Sequence, residues 1–343
     1  MKALEFSPDR GLHLREKPLP SPHPGGLLIR VTAAAICGSD LRIIKGEKEA
    51  VPGVVLGHEV TGVVEEAIPP LEGYCPGDAV VIFPSLFCKT CTYCRRGLTN
   101  LCKSKKSIGY RLDGGFAQYM AVPPEMVREG AVLKLTDHAP WTSRALIEPL
   151  GCVLHSIEMV GQGEEFFILG GGPMGLMHLL VLLKRGAKAV FLGERNHKRS
   201  SIAQELGGER VVVFDPQEKG LKEFLGEERI DGVFFCARAI ELVEEGLAIL
   251  RKGGTMNFFA GYPQGTRTHL DPNLLHYGER RLTGSHSTTL PLFERAAEMV
   301  ERGEIDLSPL VTHTFPLEEW ERAFHTYASG EGLKVVFTPH GKP

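Results

Sequence analysis

The sequence predicts an α/β protein of two domains, one β-rich and barrel-like, the other a doubly wound parallel sheet. Three observations carry this. The chain has 343 residues, long for a single core. Its first third consists of short valine- and glycine-bearing runs without a long helical period. From Phe166 onward, short apolar runs alternate with helical stretches, the pattern of a parallel sheet.

The composition bounds the function. A net charge of −3 gives no reason to expect nucleic acid or an anionic membrane as partner. The opening MKALEFSPDRG lacks the apolar run of a signal peptide. The most apolar stretch, residues 176–183, is interrupted by His178 and is too short to span a bilayer. A cytoplasmic protein is expected, without internal repeats.

Residues 1–6 and 27–35 read as strands, with a proline-rich connection at 18–24. The stretch 36–59 follows, and the rest of the chain is organised around it. It carries Cys37, Ser39 and Asp40 at one end and Gly57-His58-Glu59 at the other. A thiolate, an imidazole and a carboxylate form a set that can hold a catalytic zinc. Residues 54–66 and 80–83 read as further strands of the β-rich domain, with glycines at bends.

Four of the eight cysteines then crowd together as Cys88-x2-Cys91-x2-Cys94-x7-Cys102. Four thiolates at this spacing complete a tetrahedral shell around one zinc and leave no open position, which makes a structural site. Such short spacings would strain disulfides. Cys75, Cys152 and Cys236 read as small core residues.

Around residues 142–160 the pattern turns helical, and the domain junction is expected here. The domains are placed at 1–145, with the metal lobe at 88–102, then 146–287, with 288–343 returning to the first domain. Residues 166–169 form an apolar strand, and Gly170-Gly171-Gly172-Pro173-Met174-Gly175 follows, fitting G-x-G-x-x-G. Gly170, Gly172 and Gly175 would let the backbone approach a pyrophosphate at the helix N-terminus, beside Pro173 and Met174. A second strand, 189–192, ends before Glu194, which would take the ribose hydroxyls of NAD and repel a 2′-phosphate. Arg195 and Arg199 leave NADP open. Strands at 211–214, 233–236, 255–259 and 282–283 and helices at 200–206 and 240–250 complete the sheet domain. The tail reads as a helix at 292–302, a strand at 311–315, a helix at 317–328 and a last strand at 334–338.

Taken together, ICGSD, GHE, the four-cysteine lobe ending in NLC, Glu148-Pro149-Leu150 and GGGPMG resemble the zinc-dependent medium-chain dehydrogenases of the alcohol, sorbitol and threonine dehydrogenase group. The resemblance covers nearly the whole chain and is nearest the polyol branch. It implies a GroES-like catalytic domain, a Rossmann domain, and a homodimer or homotetramer. It implies Cys37 and His58 as catalytic zinc ligands, with Glu148 or Glu59 as the third. His58 and Glu59 share a metal only if the backbone bends between them. Ser39 would pass the substrate's hydroxyl proton towards solvent. Cys236, Ser285 and His286 would lie on the cofactor side. Two zinc ions, one catalytic and one structural, and NAD or NADP are implied. The expected reaction is oxidation of a secondary alcohol of a polyol or sugar to a ketone, in a cleft that excludes water. Where sorbitol and threonine dehydrogenases usually carry histidine, Arg42 stands here, a surface residue or a hint of an anionic substrate group. The competing readings are a threonine-type or simple secondary alcohol dehydrogenase and a non-catalytic NAD-binding zinc protein. The four candidate ligands argue against the last, and against a zinc-free quinone reductase.

Overall fold

The structure is a computed structural model that describes residues 1–9, 11–136 and 139–341. It divides into two compact units, Met1–Gly151 with Thr288–Pro343, and Cys152–Ser287.

The second unit is built on six parallel strands. In space they run Val211–Phe214, Ala189–Gly193, Glu165–Leu169, Ile230–Phe235, Leu250–Phe258, Arg281–Gly284. This is the doubly wound order expected from the alternating pattern, and the strand order reverses between Glu165–Leu169 and Ile230–Phe235. Those two strands are almost wholly apolar because helices cover both faces of such a sheet. Phe167, Phe235, Val243, Leu247 and Met256 form part of the core beneath. The helix expected at 240–250 ends sooner. A 3-10 turn, Ile240–Leu242, leads into the helix Val243–Ala248, and Leu250 already pairs with Ile230 as a strand. Sheet pairing of a buried leucine outweighs its helix preference here.

The first unit holds a sheet ordered Val311–Phe315, Lys334–Phe337, Leu27–Ala35, Glu59–Ala67, Ala79–Ile82, Val132–Lys134, with Tyr119–Val122 also paired to Leu27–Ala35. Lys2–Ser7 pairs with a strand the sequence reading missed, Gly11–Glu16. Of the valine-rich run 54–66, only the part from Glu59 is a strand, and Val55 makes a single bridge to Glu5. The last strand returns to the first unit: Val336 opposes Ala35 and Phe337 opposes Ala34, antiparallel. Phe116, Phe324 and Phe337 pack around one another behind this sheet.

The helical stretch expected around 142–160 is two helices, Trp141–Arg144 and Ile147–Val160. Pro149 explains the break. It has no N–H to give to Ala145, so it fits only in the first turn of a new helix. No helix among the described residues is long and apolar enough to cross a membrane.

Candidate active site

Three elements of the first unit converge on one point. The strand Leu27–Ala35 ends, and Cys37 caps the helix Gly38–Ile44 that the sequence reading passed over. Asp40 closes this cap from within, its Oδ2 accepting the Cys37 N–H at 2.9 Å. The strand Glu59–Ala67 begins just after His58. A turn at Gly57, with φ of +90°, leads directly into His58. A Cβ there would come within 2.5 Å of the Phe116 ring, so the turn requires glycine.

The outcome is a group of Cys37, His58 and Glu59 whose ligand atoms all lie within 4.8 Å of one another. Glu148 is buried, on the first turn of Ile147–Val160, but is not among that group. The donor set fits a zinc ion. Glu59 Oε1 and His58 Nδ1 are both buried without a hydrogen-bond partner, and Asp40 Oδ1 faces His58 Nδ1 at 3.6 Å. Burial raises the pKa of the Cys37 thiol, but His58 and Lys334 overcome it and bring it to about 7. Burial also disfavours a charged His58 ring, yet Tyr110, Asp40 and Cys37 hold its pKa well above the usual value. The site favours positive charge, as a metal site with anionic ligands must.

Lys334 is the residue the sequence reading missed. It is 2% exposed, donates to Glu59 Oε2, and reaches Ile36 O at 3.3 Å. Burial alone would discharge it, but Glu59, Cys37 and Glu148 raise its pKa and keep it charged. Ser39 Oγ is buried without a hydrogen-bond partner. Arg42 is turned to Glu47, 3.4 Å away.

The second cysteine group, Cys88, Cys91, Cys94 and Cys102, likewise lies within 4.8 Å throughout, with no disulfide. Sγ separations of 3.6 Å (Cys88–Cys102) and 3.9 Å (Cys88–Cys94) match the edges of a tetrahedron around zinc, about 3.8 Å for a Zn–S bond of about 2.3 Å. Backbone N–H groups already face the sulfurs, Cys91 N to Cys88 at 3.3 Å and Ser104 N to Cys102 at 3.4 Å. The Cys91 N–H is the main cause that lowers the Cys88 thiol to about 6.

In the second unit, Gly170 to Gly175 link the strand Glu165–Leu169 to the helix Pro173–Lys184, whose N-cap is Gly172. Gly170 takes φ of +101°, and a Cβ on Gly175 would stand 1.9 Å from Gly170 O. The loop therefore brings helix and strand together as a pyrophosphate cradle does. Glu194 Oε2 accepts from Gly171 N at 2.8 Å, and Oε1 from the N–H groups of Arg195 and Asn196, both 2.8 Å. Arg199 Nη1 lies 3.8 Å from Glu194 Oε2, so its charge sits on that carboxylate. Cys236 follows the strand Ile230–Phe235, and burial pushes its thiol up. Ser285 Oγ lies 3.0 Å from the Asn257 amide, and His286 is exposed.

A buried chain of polar groups stands behind this loop. His178 Nδ1 donates to Met174 O at 2.8 Å, because a carbonyl only accepts. Its Nε2 lies 2.9 Å from Ser156 Oγ and takes that hydroxyl's proton. Ser156 in turn lies 3.0 Å from the Asn257 amide, whose nitrogen finds its partner when turned to face Ser156. Burial lowers the His178 pKa to about 4. An unfolded chain takes that proton near pH 6.5, before the folded one does. Stability is therefore full above pH 6.5, falls by about 3 kcal/mol as the pH drops to about 4, and changes no further below it. Denaturant melts between pH 7 and 4 should show this extra acid loss in the native chain and not in His178→Gln; parallel curves would contradict it.

The comparisons with known proteins agree with this construction. The family model of the alcohol dehydrogenase GroES-like domain matches residues 23–131, and that of the zinc-binding dehydrogenases matches residues 173–302. The chain is 30% identical to a sorbitol dehydrogenase of Halalkalibacterium halodurans over 334 residues, 95% of each chain. It is 30% identical to an L-threonine 3-dehydrogenase of Pyrococcus abyssi over 352 residues, 97% of each. A Sinorhizobium meliloti structure bound to NADP, assigned provisionally as a zinc-binding dehydrogenase, superposes with a TM-score of 0.92 at 29% identity, covering 98% of this chain and 99% of that one. A Rossmann sheet, a GroES-like unit, two metal-competent clusters and full-length similarity thus converge: the chain belongs to the zinc-dependent medium-chain alcohol dehydrogenase family, an oxidoreductase for a small-molecule alcohol with a nicotinamide cofactor.

Proposed function

We propose that the chain oxidises a secondary alcohol of a polyol or sugar derivative to a ketone, using NAD and two zinc ions. The observation that carries this is the buried trio Cys37, His58 and Glu59, with its unpartnered Glu59 Oε1. These three would hold the catalytic ion, and Cys88, Cys91, Cys94 and Cys102 the structural one. Glu148 stands by as the exchange partner of Glu59. The zinc supplies Lewis-acid polarisation of the substrate hydroxyl, and the nicotinamide supplies the hydride acceptor.

The chain's own residues do the rest. Asp40 fixes Cys37 through its N–H and faces His58, so one carboxylate orients two ligands. Lys334 holds Glu59 Oε2 and leaves Oε1 for the ion. Ser39 Oγ, buried and unpartnered, takes the hydroxyl proton and passes its own onward. Gly170 to Gly175 cradle the pyrophosphate. Glu194, anchored by three backbone N–H groups, would accept from the ribose hydroxyls, which supports NAD over NADP. A homodimer or homotetramer is proposed by resemblance.

The test is the absorbance of reduced nicotinamide. Zinc-loaded enzyme should reduce NAD⁺ faster than NADP⁺ with D-sorbitol, sugar acids or sugar phosphates, and more slowly with L-threonine or 2-butanol. Faster turnover of L-threonine would favour the threonine-type reading. Bound zinc and NAD without turnover of any of them would favour a binding protein.

A further inference from the structure

A second cation stands beside the metal-ligand trio, and the reaction as described makes no use of it. Lys48 lies on the loop after the helix Gly38–Ile44 and is half-buried. Its Nζ donates to the Tyr110 hydroxyl at 2.9 Å and sits 4.5 Å from the centroid of that ring. The Tyr110 ring in turn meets His58, the centroids 5.7 Å apart. Laid end to end, those two spans put the ammonium no more than about 10 Å from the His58 ring. The main chain ties the same parts together, since Val51 N donates to Tyr110 O at 2.8 Å.

The chemistry of this pair is specific. An ammonium carries three N–H donors, and Tyr110 takes one. Tyr110, accepting from Lys48, keeps its own proton to donate. The neighbouring acid Glu47 is engaged by Arg42, and Glu49 is exposed. Two donors, one of them charged, thus stand one ring away from a proposed zinc ligand. The span suits the far end of a sugar-sized molecule whose reacting hydroxyl lies at the metal.

We propose that Lys48, held by Tyr110, determines substrate specificity by binding an anionic group, phosphate or carboxylate, at the end of the alcohol away from the reacting carbon. This rests on the alcohol dehydrogenase reading of the Cys37, His58 and Glu59 trio. It moves the anion-binding role that the sequence suggests for Arg42 to a residue six positions later. The competing account is that Lys48 only covers the Tyr110 ring, a contact that would not discriminate between substrates.

The experiment uses three matched probes, D-sorbitol, D-sorbitol 6-phosphate and D-gluconate. Calorimetric titration of the zinc- and NAD-loaded enzyme reads binding, and nicotinamide absorbance reads oxidation. The native enzyme should bind at least one anionic probe ten times more tightly than D-sorbitol or better. Lys48→Met should remove most of that ratio, with KM for the anionic probe rising more than kcat falls, and Lys48→Arg should restore most of it. Tightest binding of the phosphate or of the carboxylate identifies the source of the charge, and either supports the proposal. D-Sorbitol bound as tightly as both anionic probes, or a ratio unchanged in Lys48→Met, overturns it. Binding that shows the expected ratio without any oxidation would instead count against the dehydrogenase reading and leave Lys48 its role.

Discussion

A Cys37→Ala variant is expected to bind roughly half the zinc of the native chain, since one of the two proposed sites loses one of its three ligands while the four-cysteine site is untouched. Its kcat should fall at least ~10³-fold, about 4 kcal/mol of lost transition-state stabilisation. The site explains the size of the effect. Cys37 supplies the one thiolate of the trio, brought to about 7 by His58 and Lys334 against burial. Alanine also leaves Glu59 and His58 without the thiolate that completes the trio. Elemental analysis with a turnover assay checks both halves. A variant with native zinc content, or one within tenfold of native kcat, would place the chemistry elsewhere. The matching substitution Cys91→Ser should do the reverse, lowering stability more than it alters the chemistry of the remaining centre.

Lys334→Met should destabilise the chain by about 3–5 kcal/mol, the usual cost of removing one partner of a buried ion pair. Glu59 is 0% exposed and Lys334 2%, so no solvent replaces the lost ammonium. The Ile36 carbonyl loses its donor as well. Burial, with Cys37 and Glu148 nearby, already pushes the Glu59 carboxyl up, and Lys334 is the main group that opposes them. Adding Glu59→Gln to Lys334→Met should recover most of the loss, because the stranded charge is then gone. Urea unfolding of the two variants measures it. A single variant within about 1 kcal/mol of native would show that the pair contributes little.

What was legible in the sequence follows the distance over which each feature is encoded. The cysteine lobe lies within 15 residues, and its spacing alone brings four sulfurs together. The parallel sheet was legible because strands buried on both faces are written as unbroken apolar runs such as FFIL at 166–169. His58 and Glu59 were legible as a motif, and Gly57 signalled the turn just before them. Lys334 was not. In the sequence it opens an ordinary strand, KVVF, and only the antiparallel register of Val336 with Ala35 carries it to the proposed metal ligands. Lys48 and Tyr110 were hidden for the same reason, 62 positions apart and joined by tertiary contact alone. The end of the helix before Leu250 was lost because a buried leucine reads alike in a helix and in a strand.

The partner of Glu59 lies 275 positions after it in the chain. A ribosome that has made residues 1–151 has therefore made every proposed zinc ligand without the lysine that steadies one of them. Until Lys334 is made the Glu59 carboxylate lacks this cation, and the strand Lys334–Phe337 cannot yet pair with Leu27–Ala35. The proposed catalytic centre is thus completed late, only once Lys334 is made, whereas the four-cysteine lobe has all its sulfurs as soon as Cys102 is made. Loss of the strand Lys334–Phe337 would reach the centre of the proposed metal site.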